Sequence, residues 1–396
     1  MLSRLISISS DDFATHYWRQ QALLSKAGDL PAPFDDLLNA DSVDELVSER
    51  GLRTPFLRVA KAGSTLAEKA FTAGGGVGAT VADQVSDDKL VRLFADGSTM
   101  VLQALHRIWP PIITLCQQLA AELGHPVQAN AYVTPPQNQG FSNHYDVHDV
   151  FVLQIEGEKQ WTIHEPVHQA PLRDQPWTDR RAAVERRARQ EPVLETVLRP
   201  GDSLYLPRGF LHAAKALGGV SAHLTVGIHV WTRHAIADQL VDQALRQAAA
   251  DVAVRQSLDL GVAFEDPKTI QHDVDVVRDA LVTALQHVTT ESLAGALLAR
   301  DRTTQRAAPI GPLRQLRTAA ELEPETMIVL RAHLEASLDR VGGGRIVVRS
   351  RAGDVDLTED EVAPVTRLLQ QSAVAAGDLG LDLSRRLVLA GLAVAE

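Results

Sequence analysis

The tightest constraint on the fold comes from three residues, His144 and Asp146 in SNHYDVHD and His212 at the end of GDSLYLPRGFLH. On an extended strand successive side chains alternate faces, so His144 and Asp146 point the same way, roughly 6.6 Å apart along the backbone. One metal ion can reach both. A third suitable ligand, His212, lies 66 residues beyond Asp146. Two imidazoles and one carboxylate on one face of an ion, with the other face open, suit non-haem Fe(II) binding a bidentate co-substrate and O2. The pattern therefore points to oxygenase chemistry.

Size and charge narrow the alternatives. At 396 residues the chain exceeds a typical single domain, and two or three domains are expected at roughly 150 residues each. Apolar residues at 45% and charged residues at 22% match an ordinary globular protein. No apolar run reaches the length of a membrane span, and MLSRLISISSDDF turns acidic before a signal-peptide core can form, so a cytoplasmic location is expected. The lone Cys116 excludes an internal disulfide framework and cysteine-rich zinc sites. A net charge of −11 argues against broad attraction to nucleic acid or acidic membranes and suits a basic partner protein.

The first hundred residues read as mostly helical, with an Asp-capped helix in DSVDELVSERG and a glycine-rich loop over 63–79. Two helices split at Pro110-Pro111 are expected from Leu102, Leu105 and Ile108, then Ile113, Leu119 and Leu123. From residue 127 to 231 strand signals dominate, broken at Pro135-Pro136, Gly157, Pro200-Gly201 and Gly218-Gly219, and favour a barrel or jelly roll. The arginine-rich stretch 173–189 reads as a helical, solvated insertion, with a substrate-facing patch as the alternative. After Trp231 helical periodicity returns over 235–258, 267–288 and 290–300, with a stripe through Ile270, Val274, Val277, Leu281, Ala284 and Val288. A linker, RTTQRAAPIGPL, leads to a last segment read as a helix over PETMIVLRAHLEASLD, a hairpin over GRIVVRSRAGDVDLT and two short helices, an order like that of a winged helix. From residue 323 it holds eight basic against twelve acidic residues, the wrong balance for DNA binding.

Gly201-x5-Pro207-x-Gly209-x2-His212 joins an entry turn, a strand and a histidine-presenting turn, and resembles the second motif of the cupin superfamily. It departs from the common pattern at Asp146, where many cupins place histidine, and at Ala216, where asparagine is frequent. NAYVTPPQNQGFSNHYDVHDVFVLQIEGEKQW followed by GDSLYLPRGFLH resembles the JmjC-type Fe(II)- and 2-oxoglutarate-dependent oxygenases, in particular the ribosomal oxygenases, which hydroxylate ribosomal proteins. The resemblance extends over nearly the whole chain. It implies an α+β fold: a double-stranded β-helix, the jelly-roll cupin barrel of JmjC proteins, with flanking helices over 1–231, a helical dimerisation region and linker over 232–315, and a winged-helix-like domain over 316–396. It implies His144, Asp146 and His212 as metal ligands and catalytic centre, with Fe(II) as cofactor and 2-oxoglutarate and O2 as co-substrates. Lys159, 15 residues beyond His144, matches the residue that pairs with the distal carboxylate of 2-oxoglutarate. Asn130, Tyr132 and Thr225 resemble positions that hydrogen-bond the same co-substrate.

His148 shares the face of His144 and Asp146 on a regular strand and makes a rival pair with Asp146. His164, His223 and His229 read as surface or core histidines, and Trp161 and Phe151 as barrel core. Three readings compete: hydroxylation of a histidine or arginine of a ribosomal protein by a homodimer that binds neither DNA nor membrane, the same chemistry on a small molecule or free peptide, and a cupin that binds metal without turnover.

Overall fold

The computed structural model describes residues 1–396 apart from 62, 137 and 139–141. The chain divides into two compact units, Met1–Val230 and Trp231–Glu396. The first is built on one antiparallel nine-stranded sheet: β1 (Leu23–Ser25), β2 (Leu57–Lys61), β3 (Ser64–Thr65), β4 (Thr99–Leu102), β5 (Val127–Thr134), β6 (Asp149–His164), β7 (Leu194–Leu198), β8 (Ser203–Leu206) and β9 (Leu211–Ile228). Their order is β1-β8-β6-β9-β5-β4-β2-β3, with β7 also paired to β6. Thr99, Tyr132, Val150, Lys159, His212 and Thr225, from four of these strands, line one cavity, so the sheet is curled around it.

β6 and β9 are longer than their sequence suggests. Gly157 does not end β6, and Gly218-Gly219 does not end β9; the ladder between the two strands runs on through a register irregularity at Leu217, Ala222 and His223. Gly157 makes this continuity possible. Its φ is +63°, and a Cβ there would lie 2.0 Å from the carbonyl oxygen of Val220.

The amino-terminal region contains more strand than its composition implies. Leu102 ends β4 instead of starting a helix, and β2 lies between β3 and β4 in the sheet. Burial in the ladder outweighs the helical spacing of these short segments. The helix α1 (Ala40–Ser48) is capped by Asn39, whose side chain accepts from the Ser42 N–H, with Asp41 in the first turn instead of at the cap. The helix α2 (Asp87–Ala95) precedes β4, and α3 (Pro110–Leu123) opens on both prolines, where missing N–H groups cost nothing. α3 buries Ile112, Leu115, Cys116 and Leu119 in the main core with Phe13, Phe34, Phe71 and Phe151. The arginine-rich stretch forms a 3-10 turn, Trp177–Arg180, and the helix α4 (Arg181–Arg187).

The second unit begins with α5 (Arg233–Ala248), α6 (Gln271–His287) and α7 (Thr290–Thr304), followed by α8 (Pro312–Ala320). The expected helix over 324–339 is absent. Met327–Leu330 forms β10, paired with β14 (Val374–Ala375) on one side and β15 (Ala393–Ala395) on the other. Ser337–Val341 forms β11, and the positive φ of His333 and Glu335 interrupts any helix between them. Here a ladder formed with residues far along the chain overrides the local helical pattern. β11 pairs with β12 (Arg345–Ser350), which forms the expected hairpin with β13 (Gly353–Leu357). Two helices, α9 (Val362–Gln370) and α10 (Leu381–Leu389), bury Val365, Leu368, Leu383 and Leu387 beside Ile328, Ile346 and Val348.

Candidate metal centre

β9 begins immediately after the turn Pro207-Arg208-Gly209. Gly209 has φ +89°, and a Cβ there would stand 2.8 Å from the His168 carbonyl oxygen, so the turn demands glycine. Its N–H donates to the Asp146 carbonyl at 3.0 Å. His212 N–H donates to the His144 carbonyl at 2.8 Å, and His144 N–H returns a bond to His212 at 3.2 Å. Backbone bonds thus deliver the distal histidine to the His-x-Asp segment. His144 occupies an isolated antiparallel bridge, and Asp146 lies in irregular chain before β6, so the pair does not sit on a regular strand.

One ligand atom from each of His144, Asp146 and His212 lies within 4.8 Å of the others. The imidazole centroids are 4.4 Å apart, and His212 Nε2 is 3.7 Å from an Asp146 oxygen. A carbonyl only accepts, so the contacts of His144 Nδ1 to Ser142 (2.8 Å) and His212 Nδ1 to Phe210 (3.1 Å) place a proton on each Nδ1. Both Nε2 lone pairs are left for a cation. Burial, reinforced by His144, lowers the His212 pKa to about 4 and keeps the ring neutral. Burial works to raise Asp146, but His148, His212, His144 and Arg58 together outweigh it and hold the carboxyl below its ordinary range. Two imidazole Nε2 lone pairs and one carboxylate fit Fe(II), and the donor set would leave the remaining coordination positions free.

The adjoining cavity holds about 60 Å³ and is lined in part by Tyr132, Thr134, Lys159, Trp161, His223 and Thr225. Lys159 is 3% exposed, with Nζ 3.2 Å from Thr134 Oγ1 and 3.3 Å from His223 Nδ1. Burial lowers its pKa to about 7. Burial, then Lys159 and His212, holds His223 well below the ordinary histidine value, so its ring is neutral and Nδ1 accepts from the ammonium. Tyr132 stacks on His223 at 5.0 Å and 4°. His223, expected to be an ordinary surface or core histidine, is therefore buried in the cavity wall beside Lys159.

Tyr132 and Thr225 line the cavity, whereas Asn130 is not among the lining residues, and its Oδ1 accepts from the Ala104 N–H at 2.9 Å. His148 is outside the ligand cluster and stacks on His229 at 5.1 Å. His164 is buried at 2% exposure and is also outside it. Trp161 belongs to the barrel core and to the cavity wall, while Phe151 is core alone.

Three contributors carry no local signal in the sequence. Arg58 on β2 hydrogen-bonds Tyr132, and its charge acts on Asp146. Asp149, 1% exposed, accepts from the Tyr205 hydroxyl and from the Arg208 N–H, tying the turn before His212 to the start of β6. Trp177 stands 6.4 Å from His144, ring to ring.

Residues 107–236 match the family model for the JmjC domain. The chain carries a JmjC domain. Its curated relatives include ribosomal oxygenase 1 of Gallus gallus, 30% identical over 290 residues, covering 70% of this chain and 45% of that protein. Ribosomal oxygenase 1 of Rattus norvegicus is 37% identical over 141 residues, covering 35% and 23%. The chain thus spans less than half the length of these relatives. Among solved structures, the Escherichia coli ribosomal oxygenase YcfD is covered over 99% of both chains, with a TM-score of 0.57 at 17% identity. A structure of YcfD in complex with cobalt and 2-oxoglutarate is covered equally, with a TM-score of 0.57 at 16% identity. The chain therefore has the JmjC, cupin-type fold and resembles the ribosomal oxygenases. No described helix is long and apolar enough to cross a membrane.

His212→Ala removes a ligand side chain while keeping the backbone groups that bridge to His144. Iron titrated into the variant under anaerobic conditions is expected to remain unbound where the wild type takes up about one Fe(II) per chain. Stoichiometric iron in the variant would discard this ligand set.

Proposed function

We propose that the protein is an Fe(II)- and 2-oxoglutarate-dependent dioxygenase that hydroxylates a histidine or arginine side chain of a ribosomal protein. The observation that carries this reading is Lys159, an amine buried in the cavity beside the metal ligands with no carboxylate partner among the described residues. A buried ammonium without a counter-ion is costly, and a dicarboxylate entering the cavity would supply one. The likeness to ribosomal oxygenases supports the choice of substrate class.

In this reading His144, Asp146 and His212 hold the ion from one side, and their Nδ1–H bonds to Ser142 and Phe210 fix the rings. Lys159 receives the distal carboxylate of 2-oxoglutarate, and the hydroxyls of Tyr132 and Thr225 complete its orientation. Asn130 shapes the site indirectly, through Ala104. Val150, Val152 and Trp161 close the wall against water. Bound Fe(II) with 2-oxoglutarate and O2 would supply an oxidative decarboxylation to succinate and CO2 that takes one oxygen atom, coupled to insertion of the other into a C–H bond.

The carboxy-terminal segment serves protein contact or stability and does not bind DNA. From residue 323 its eight bases face twelve acids, and Arg340, Arg345 and Arg386 are paired with Glu359, Asp356 and Glu361. Salt-linked phosphate contacts need free cations. The helical block is the homodimer surface: Leu258, Phe264, Val274, Val277 and Val282 remain exposed around a groove of about 510 Å³. A cytoplasmic setting follows from a ribosomal substrate.

Intact-mass comparison of ribosomal proteins from cells with and without the gene should show one protein lighter by one oxygen atom when the gene is absent. No difference, with 2-oxoglutarate turned over on free peptides or metabolites, would favour the small-molecule reading. No turnover at all would favour a metal-binding cupin.

Lys159→Ala should weaken 2-oxoglutarate binding about ten- to a hundredfold with iron retained, since a charge-assisted bond is worth roughly 1.5–3 kcal/mol. With the free-state pKa near 7 and a higher one in the carboxylate complex, binding takes up a proton above neutrality. Calorimetry should therefore show wild-type affinity falling several-fold from about pH 6.5 to about pH 8.5, a dependence Lys159→Ala should lack.

Light scattering at low micromolar concentration should give twice the chain mass. Val277→Glu should shift it to the monomer, and an unchanged mass would remove the helical block from the interface.

A further inference from the structure

One surface of the first unit is charged against the rest of the protein. The chain carries −11, yet residues 173–189 hold six arginines against Asp174, Asp179 and Glu185, so the local balance is 6 − 3 = +3. This segment is seated beside the metal centre. Tyr145 donates its hydroxyl to the Gln175 carbonyl at 2.9 Å, and Trp177 is 6.4 Å from His144. Arg173, Arg181, Arg186 and Arg189 are exposed.

Among the described residues none of these six arginines forms an ion pair. Elsewhere Arg4, Arg50, Arg53 and Arg199 of the first unit and Arg246, Arg278, Arg340 and Arg345 of the second each hold a carboxylate. Arg187 instead donates to the Glu165 carbonyl and to Gln190, and the Arg181 guanidinium lies 4.7 Å above the Trp177 ring. A run of charge is ordinarily a solvated face. This one sets a guanidinium over an aromatic ring and lies beside the metal centre, where a substrate must approach.

The sign of the charge selects the partner. A ribosomal protein is basic, and a +3 surface would repel it as a free chain. We propose that the face formed by residues 173–189 contacts RNA, so that the protein substrate is met while it is bound to an RNA strand. This inference rests on the proposed function for the identity of the substrate. Unpaired guanidinium forks match phosphate oxygens bidentately, and the Arg181 guanidinium held over the Trp177 ring offers a base a planar partner. An acidic peptide would satisfy the charge but brings no flat base to stack on that guanidinium.

Fluorescence anisotropy with the full chain and a labelled oligouridine of about 20 nucleotides tests it without any turnover, so failure of the hydroxylase reading and failure of this one are separately visible. The wild type should bind in the micromolar range at about 50 mM salt. Three phosphate contacts predict a log–log salt slope of about −2. The triple variant Arg181→Gln, Arg186→Gln, Arg189→Gln should raise Kd at least tenfold and flatten that slope, with iron content and 2-oxoglutarate affinity unchanged. Trp177→Leu should weaken RNA several-fold while leaving any polyglutamate binding as it was. No RNA binding by the wild type, equal binding by the triple variant, or tighter binding of polyglutamate than of RNA would each overturn the proposal.

Discussion

The pair of backbone hydrogen bonds between His144 and His212 is the contact on which the site depends. Each ligand of the cluster is placed by it or by its neighbours. It fixes two imidazoles 4.4 Å apart, and the Gly209 N–H holds Asp146 beside them through a third backbone bond. Backbone positioning of this kind is stiff, because moving a ligand means breaking a ladder and not merely turning a side chain. Asp149 extends the same logic one step outward, since its buried carboxylate bonds both Tyr205 and the turn that precedes His212.

Lys159 supplies the opposing pressure. Burial lowers its pKa from an ordinary 10.5 to about 7, so the ammonium is disfavoured there without a counter-ion. Such a group costs stability in the ligand-free barrel and gains a partner only when an anion enters. The neutral His223 beside it keeps a lone pair for Nζ, and the stacked Tyr132 fixes the ring plane. The cavity is thus built to be satisfied by a small anion.

Charge pairing is uneven along the chain. In the second unit Arg340, Arg345 and Arg386 are matched by nearby acids. In the first, the segment beside the metal centre leaves its arginines unmatched. Surface pairs add little to stability, so neither arrangement is explained by folding alone.

The candidate ligand triad and the change from strand to helix at residue 231 were legible in the sequence, because each depends on local spacing or on a motif with fixed turn chemistry, whereas Lys159 was picked out only by the resemblance to the JmjC-type oxygenases. His-x-Asp needs only two residues on nearby backbone, and Pro-x-Gly-x2-His needs only its own turn. What the tertiary structure decided are the matters that depend on distant partners. Residues 327–330 became a strand because Val374 and Ala395 offered edges on either side, against a helical local pattern. Gly157 let β6 run on instead of ending it. His223 and Arg58 reached the site only because β9 and β2 carry them there, and Asn130 was drawn to the Ala104 backbone instead of the cavity. Motif chemistry travels with the chain, whereas side-chain surroundings exist only once strands remote in sequence have paired.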